Sequence, residues 1–367
     1  MIYLDNNAAT IVAPEVLAAM AAPLSDEAAR RNAVEGARKS VATLIGVFDA
    51  YKIEFAESPG EVADEIRSSL TGRAGHFITT EFETPAMRQV SEALEAEGLQ
   101  VTRIGFDGNG TLNLAQLDAA LSARTTAVLL NHADAETGIV QPLNEIAKIV
   151  KANSQALVFV DGADAAGKMA VDAGNSAIDF YYVSGDRFHG PKGIGALFSL
   201  GRDRAKAAAE HLTQKIVGLG VASELAGDSS RQETVRVLRD RLESEILEKI
   251  PNSRLNGPAD KAERLANTSN ISFENTNGEA IIARLLEAGI CASTSSACAA
   301  IGHRPSLMLQ AMGVPYSFAM GSIRFSLSRY TTAEEIGEVV RVLPSVIVEL
   351  RKISGSGGFL DAVTSEL

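Results

Sequence analysis

The chain has 367 residues, 46% of them hydrophobic, which is enough to bury a large core and points to two domains in one compact body. A formal net charge of -12 and a pI near 5.0 repel polyphosphate backbones, so nucleic acid is not an expected partner. Two cysteines, Cys291 and Cys298, exclude a disulfide scaffold and a cysteine-based zinc site; the start MIYLDNNAAT lacks the regions of a signal peptide, and no apolar run reaches the roughly 20 residues that span a bilayer. No metal and no membrane partner is expected, and the expected location is cytoplasmic.

Along the first two thirds, short apolar runs rich in β-branched or aromatic residues alternate with helical patterns, the signature of an α/β domain with a mostly parallel sheet. The runs predict strands over Lys52 to Phe55, His76 to Thr80, Val101 to Phe106, Ala127 to Asn131, Ala156 to Asp161, Phe180 to Ser184 and Gly195 to Leu200, seven strands of one sheet. Apolar residues three or four apart predict helices over Pro85 to Glu97 and Asn144 to Ala152, while Arg30, Arg31, Arg38 and Lys39 read as a solvated helix face. A charged amphipathic pattern from Gln232 to Ile250 predicts a long helix leading out of this domain. The remainder reads as a smaller α+β unit with strands near Asn270 to Phe273 and Ser322 to Leu327, a final helix opened by a capping box at Thr331 to Glu335, and a flexible tail at Ser354 to Gly358. The expected division is a large α/β domain over residues 15–250 and a small α+β domain over 1–14 and 251–367.

Three places stand out chemically. Asp161 ends a buried strand, where open α/β sheets place ligand-binding groups, although a helix-capping role suits it equally. Ser293-Thr294-Ser295-Ser296-Ala297-Cys298 is a small-residue loop ending in a thiol, a reactive cysteine or a packing residue. Arg324 falls within a strand, where its guanidinium needs a ligand anion or a structural carboxylate.

The segments YLDNNAAT, NHADAETGIVQPL, VFVDGADAAGK, SGDRFHGPKGIGALF, STSSACA and SIRFSLSRYTTAEEI, in that order, resemble the cysteine desulfurase branch of the class V aminotransferases, fold-type I pyridoxal-phosphate (PLP) enzymes. The resemblance runs from Met1 to about residue 350. In that family a lysine forms the internal aldimine, an aspartate pairs with the pyridine nitrogen, and a loop cysteine takes the substrate sulfur as a persulfide. By resemblance the aspartate is Asp161, the persulfide position is Cys298, the substrate-carboxylate arginine is Arg324 with Asn131 as a further substrate contact, and Ser184 faces the phosphate. The other PLP positions depart from the pattern. Arg187 replaces the aldimine lysine, and a guanidinium offers no free amine to condense with an aldehyde. Asp186 replaces a phosphate-contacting histidine, and Gly60 a phosphate-contacting threonine. Thr84 stands for the ring-stacking histidine, Ala135 for an asparagine, and Asp164 for a glutamine. Lys192 does not restore the amine, because the family carries a lysine there besides the catalytic one. The loop between the first two helices is shortened to Pro23 to Ala28.

These departures imply a degenerate desulfurase, a pseudoenzyme with no covalent PLP. Its expected role is binding, regulation or sulfur carriage in sulfur transfer or iron-sulfur cluster assembly. The resemblance further implies a homodimer that meets sulfur-acceptor, scaffold or desulfurase proteins. The competing readings are an active PLP-dependent desulfurase converting L-cysteine to L-alanine and an enzyme persulfide, with its cofactor held noncovalently, a related class V aminotransferase-fold lyase, or a pocket given over to another small ligand, with Arg187, Arg324 and His132 as anion contacts.

Overall fold

A computed structural model of the chain describes residues 1–70, 75–201, 209–258, 260, 263–294 and 305–356. In chain order the strands are β1 (Ile2–Tyr3), β2 (Ile53–Ala56), β3 (His76–Thr80), β4 (Gln100–Ile104), β5 (Thr125–Asn131), β6 (Leu157–Asp161), β7 (Phe180–Ser184), β8 (Gly195–Ser199), β9 (Ser253–Leu255), β10 (Thr268–Phe273), β11 (Ile290–Cys291), β12 (Ser293–Thr294) and β13 (Ser322–Ser326). The helices are α1 (Pro14–Ala21), α2 (Glu27–Leu44), α3 (Pro59–Leu70), α4 (Pro85–Ala96), α5 (Leu114–Ala120), α6 (Leu143–Asn153), α7 (Thr213–Ala226), α8 (Ser229–Lys249), α9 (Gly278–Glu287), α10 (Leu307–Ala311), α11 (Tyr316–Ala319) and α12 (Ala333–Ser356).

The seven expected strands form one sheet in the order β2-β8-β7-β6-β5-β3-β4, with β8 antiparallel to both neighbours and the other pairings parallel. Strands such as Leu157 to Asp161 are apolar along their length because helices cover both faces. One such helix is α6, whose buried Leu143, Ile146, Ala147 and Val150 recur at helical spacing. Helices α2 and α7 pack closely at Gly220, where an added Cβ would sit 2.6 Å from the Ala37 Cα.

The later residues build a four-stranded antiparallel sheet, β12-β13-β10-β9, which the amino terminus meets through Asp5 against Ser326, while β1 and β11 form a separate two-stranded parallel pair. Leu4, Leu242, Ile246, Phe273, Phe325 and Leu343 belong to one core there, so α8 packs on this smaller sheet. The capping box forms as expected: the Glu335 amide donates to Thr332 Oγ1 at 3.3 Å, and the Thr332 amide to Glu335 Oε2 at 3.0 Å.

Two expectations fail. Arg38 is 3% exposed, not solvated; its guanidinium lies over the Phe55 ring and donates to the Ile53 carbonyl, tying α2 to the sheet edge. Ser354 to Ser356 form the last turn of α12 instead of a flexible tail, while residues 357–358 lie outside the described ones.

Candidate active site

The parallel register sets Asn131 beside Asp161 and Asp161 beside Tyr182, so β5, β6 and β7 end together at the carboxyl edge of the sheet. That edge is where an α/β sheet opens to a ligand. Asp161 is 4% exposed, and both its oxygens are engaged: Thr84 Oγ1 donates to Oδ2 at 2.6 Å and the Ala163 amide to Oδ1 at 3.0 Å. Burial pushes its pKa up, opposed by those two hydrogen bonds and by the Arg187 charge. Thr84, the position of the family's stacking histidine, is here the N-cap of α4, accepting from the Met87 amide at 3.2 Å.

Arg187 follows β7 in a short 3₁₀ turn and directs Nη1 to Asp164 Oδ1 at 3.4 Å and to the Asn7 carbonyl. Burial alone would lower the guanidinium's pKa; the carboxylates of Asp164, Asp186 and Asp161 outweigh it and raise the value. Asp164 also faces Lys168 Nζ at 3.6 Å, so one carboxylate serves two cations. Lys168, 7% exposed, donates to Asn7 Oδ1 at 3.1 Å, and burial lowers its pKa to about 8.

Asn7 joins these groups to the second unit. Its side-chain amide donates to the Ala135 carbonyl at 2.9 Å and to Thr268 Oγ1 at 2.8 Å, its Oδ1 also accepts from Asn267 at 3.0 Å, and its backbone amide donates to Ser326 Oγ at 3.0 Å. Ala135 therefore contributes a carbonyl to the edge, where the family has an amide side chain. Arg324 Nη2 meets Asp5 at 2.5 Å and Nη1 meets the Ala135 carbonyl at 3.4 Å, so the structural carboxylate is present for this arginine. Asn131 donates to the Phe82 carbonyl at 2.9 Å, and its buried Oδ1 has no partner among the described residues. His132 is buried against the Tyr181 hydroxyl at 2.7 Å, and burial lowers its pKa to about 4, which favours the neutral imidazole. Cys298 lies outside the described residues.

PLP asks a pocket for an amine, donors for a phosphate dianion and an acid at the pyridine nitrogen. At the phosphate end the threonine and histidine donors of the family pattern are replaced by Gly60 and Asp186. At the start of α3, beside Gly60, the Glu61 amide donates to Ser58 Oγ at 3.3 Å and the Glu57 amide donates back to Glu61 Oε2 at 3.0 Å. These two bonds close a capping box at the start of α3, and Gly60 offers no hydroxyl for a phosphate. At the other phosphate position the Ser184 hydroxyl donates to Asp186 Oδ1 at 2.5 Å, and the Asp186 carbonyl is fixed by the Thr10 hydroxyl at 2.7 Å. Arg187 supplies no amine. Asp161 alone suits the group, and these residues do not fit PLP in its usual covalent form.

Sequence reasoning missed Asn7, Asp5 and Lys168. A signal existed for Lys168, which stands four residues after Asp164 in Asp164-Ala165-Ala166-Gly167-Lys168, a spacing that brings opposite charges together on a turn. Asn7 gave none, since its partners come from five separate segments.

The Aminotransferase class-V family matches this chain over residues 2–218 and 211–339. A cysteine desulfurase of Trichormus azollae is 40% identical over 385 aligned positions, covering 96% of this chain and 94% of that protein. Cysteine desulfurase NifS of Azotobacter vinelandii is 35% identical, with 96% and 94% covered. Among solved structures, a NifS-like protein superimposes with a TM-score of 0.83 at 26% identity, covering 95% of this chain and all of that one. With likeness of this extent in both sequence and fold, the chain belongs to the class-V aminotransferase family, a PLP-dependent family, among its cysteine desulfurases.

Proposed function

We propose that this protein is a desulfurase homologue that forms no Schiff base with PLP at position 187 and serves sulfur transfer or iron-sulfur cluster assembly as a binding, regulatory or sulfur-carrying protein. The observation that carries this reading is the Arg187 guanidinium, engaged by Asp164 and the Asn7 carbonyl at the lysine position. A guanidinium with a pKa above about 12 is no nucleophile toward an aldehyde, and its fixed pairing leaves the site organised around a charge rather than an amine. In this role the protein acts as a homodimer that docks sulfur acceptors, with Cys298 as the position for a persulfide.

The second reading is an active desulfurase that holds PLP without the usual lysine. The 40% identity to proteins named cysteine desulfurase favours it, as does the retention of Asp161. One experiment separates the two. The purified protein is incubated with PLP, scanned across the near-ultraviolet and visible range, reduced with borohydride and digested for mass analysis. The first reading expects no imine band and no pyridoxyl-modified lysine. Alanine formation when cysteine is added together with PLP, with or without a modified lysine, would establish the second.

A further inference from the structure

Arg324 lies in β13 between Asn270 of β10 and Ser293 of β12, on the face of the small sheet that meets the segment after β5. Its guanidinium is held only in part. Nη2 donates to Asp5 Oδ1 at 2.5 Å and Nη1 to the Ala135 carbonyl at 3.4 Å, while the buried Nε has no partner among the described residues. A guanidinium carries five N–H donors in a planar fork, and a carboxylate satisfies it best through both oxygens. Asp5 engages a single nitrogen.

The backbone of Asp5 is fixed, and its side chain is held by Arg324 alone among the described residues. Asp5 bridges to Ser326, the Asn6 amide beside it donates to the Ser326 carbonyl at 3.2 Å, and the Asp5 carbonyl accepts from the Ala8 amide at 3.1 Å and the Tyr3 hydroxyl at 3.2 Å. Rotation of the carboxylate about its own side chain is therefore enough to release the guanidinium. The pair also reaches solvent, with 18% of the Asp5 side chain and 11% of the Arg324 side chain exposed, so a small ion in solution can compete for it. Each competitor has one advantage: Asp5 is tethered and always at hand, whereas a free acid offers two oxygens to the fork.

We propose that Asp5 is an intramolecular competitor for the carboxylate of a small aliphatic acid at Arg324, so that the amino-terminal segment sets how tightly the site takes such a ligand. Removing the Asp5 charge leaves a largely buried guanidinium without its counter-ion, a state that an incoming carboxylate relieves. A residue that merely positioned Arg324 for its ligand would act in the opposite direction, because its loss would loosen the arginine and weaken binding. This role rests on Arg324 serving as a carboxylate contact, whatever stands at position 187, since a simple acid carries no aldehyde to form an imine.

The test is calorimetric titration of the full chain with sodium acetate, the ionic strength held constant with sodium chloride, in the wild type, Asp5→Asn, Arg324→Gln and the double variant. Asp5→Asn is expected to bind acetate about tenfold or more tightly than the wild type, the worth of one charge-assisted hydrogen bond. Arg324→Gln and the double variant are expected to show no saturable binding. Affinity in Asp5→Asn equal to that of the wild type would leave Asp5 no part, and weaker affinity would make it a positioning residue; either overturns the proposal, as does binding that persists without Arg324. Should Asp5→Asn fail to fold in chloride, its refolding in acetate, followed by circular dichroism against chloride of the same ionic strength, reads the same competition. Recovery in acetate alone is expected there, and no difference between the two salts would overturn the proposal.

Discussion

Reverting Arg187→Lys restores an amine to the position where the family has one, and the structure predicts that the reversion alone fails. The reason lies in Asp164. At the 3.4 Å separation of the present pair, two unit charges attract by about 5 kcal/mol at an effective dielectric near 20. Lys168 draws on the same oxygen and Arg187 is a quarter exposed, so about 2 kcal/mol is a fair share for a lysine ammonium there. That attraction favours the protonated amine and reduces its nucleophilic form about thirtyfold at a given pH. Arg187→Lys combined with Asp164→Gln removes the attraction and supplies the side-chain amide of the family pattern. The assay is PLP titration followed by imine absorbance from pH 7 to 9, with borohydride trapping to locate the modified residue. The double variant is expected to form the imine at a pH about 1.5 units below the single variant. Both should remain weak, because Asp186 still holds the Ser184 hydroxyl and Gly60 supplies none. If Arg187→Lys alone formed the imine as readily as the double variant, Asp164 would not be the restraint and the reasoning would be wrong.

Other outcomes follow from groups away from position 187. The buried His132, whose pKa falls from 6.5 to about 4, contributes stability that is fully present above pH 6.5 and lost as pH drops toward 4, a loss of about 3 kcal/mol. Denaturant melts of the wild type and His132→Gln should therefore diverge in that window, and parallel curves would contradict the assignment. Glu243, 3% exposed, receives Arg264 at 2.7 and 3.0 Å; Glu243→Gln leaves that guanidinium without its counter-charge and should cost about 3–5 kcal/mol, read as a lower urea midpoint. Gly220→Val should cost about 1–3 kcal/mol by forcing α2 away from α7, and an unchanged midpoint would show that the helices can separate freely.

The large sheet was legible because each strand is a short β-branched or aromatic run between turn residues; Phe180 to Ser184 and His76 to Thr80 are read from sequence with their observed ends. The reversed direction of β8 was not, since an apolar run carries no information about which way its strand points. Arg38 was misread because a charge on a helix surface ordinarily seeks water, and nothing local reports that Phe55 and the Ile53 carbonyl wait beneath it. At the site, the replacement of lysine by Arg187 and of glutamine by Asp164 could each be seen singly. Their union could not, because it depends on two strand ends meeting 23 residues apart. Arg324 illustrates the same limit: its need for an anion was evident, and Asp5, at the far end of the chain, supplies one.

The bonds of Asn7 bear on how this molecule unfolds. Its donors and acceptors reach Ala135, Lys168 and Arg187 on one side and Thr268, Asn267 and Ser326 on the other. If either unit opened alone, this 1% exposed amide would lose half its partners while the remaining half stayed sequestered from solvent. Partly open states are penalised at that one residue, which biases the chain toward melting all at once. Amide protons of β6 and β10 should then exchange through the same global opening, although they belong to different sheets.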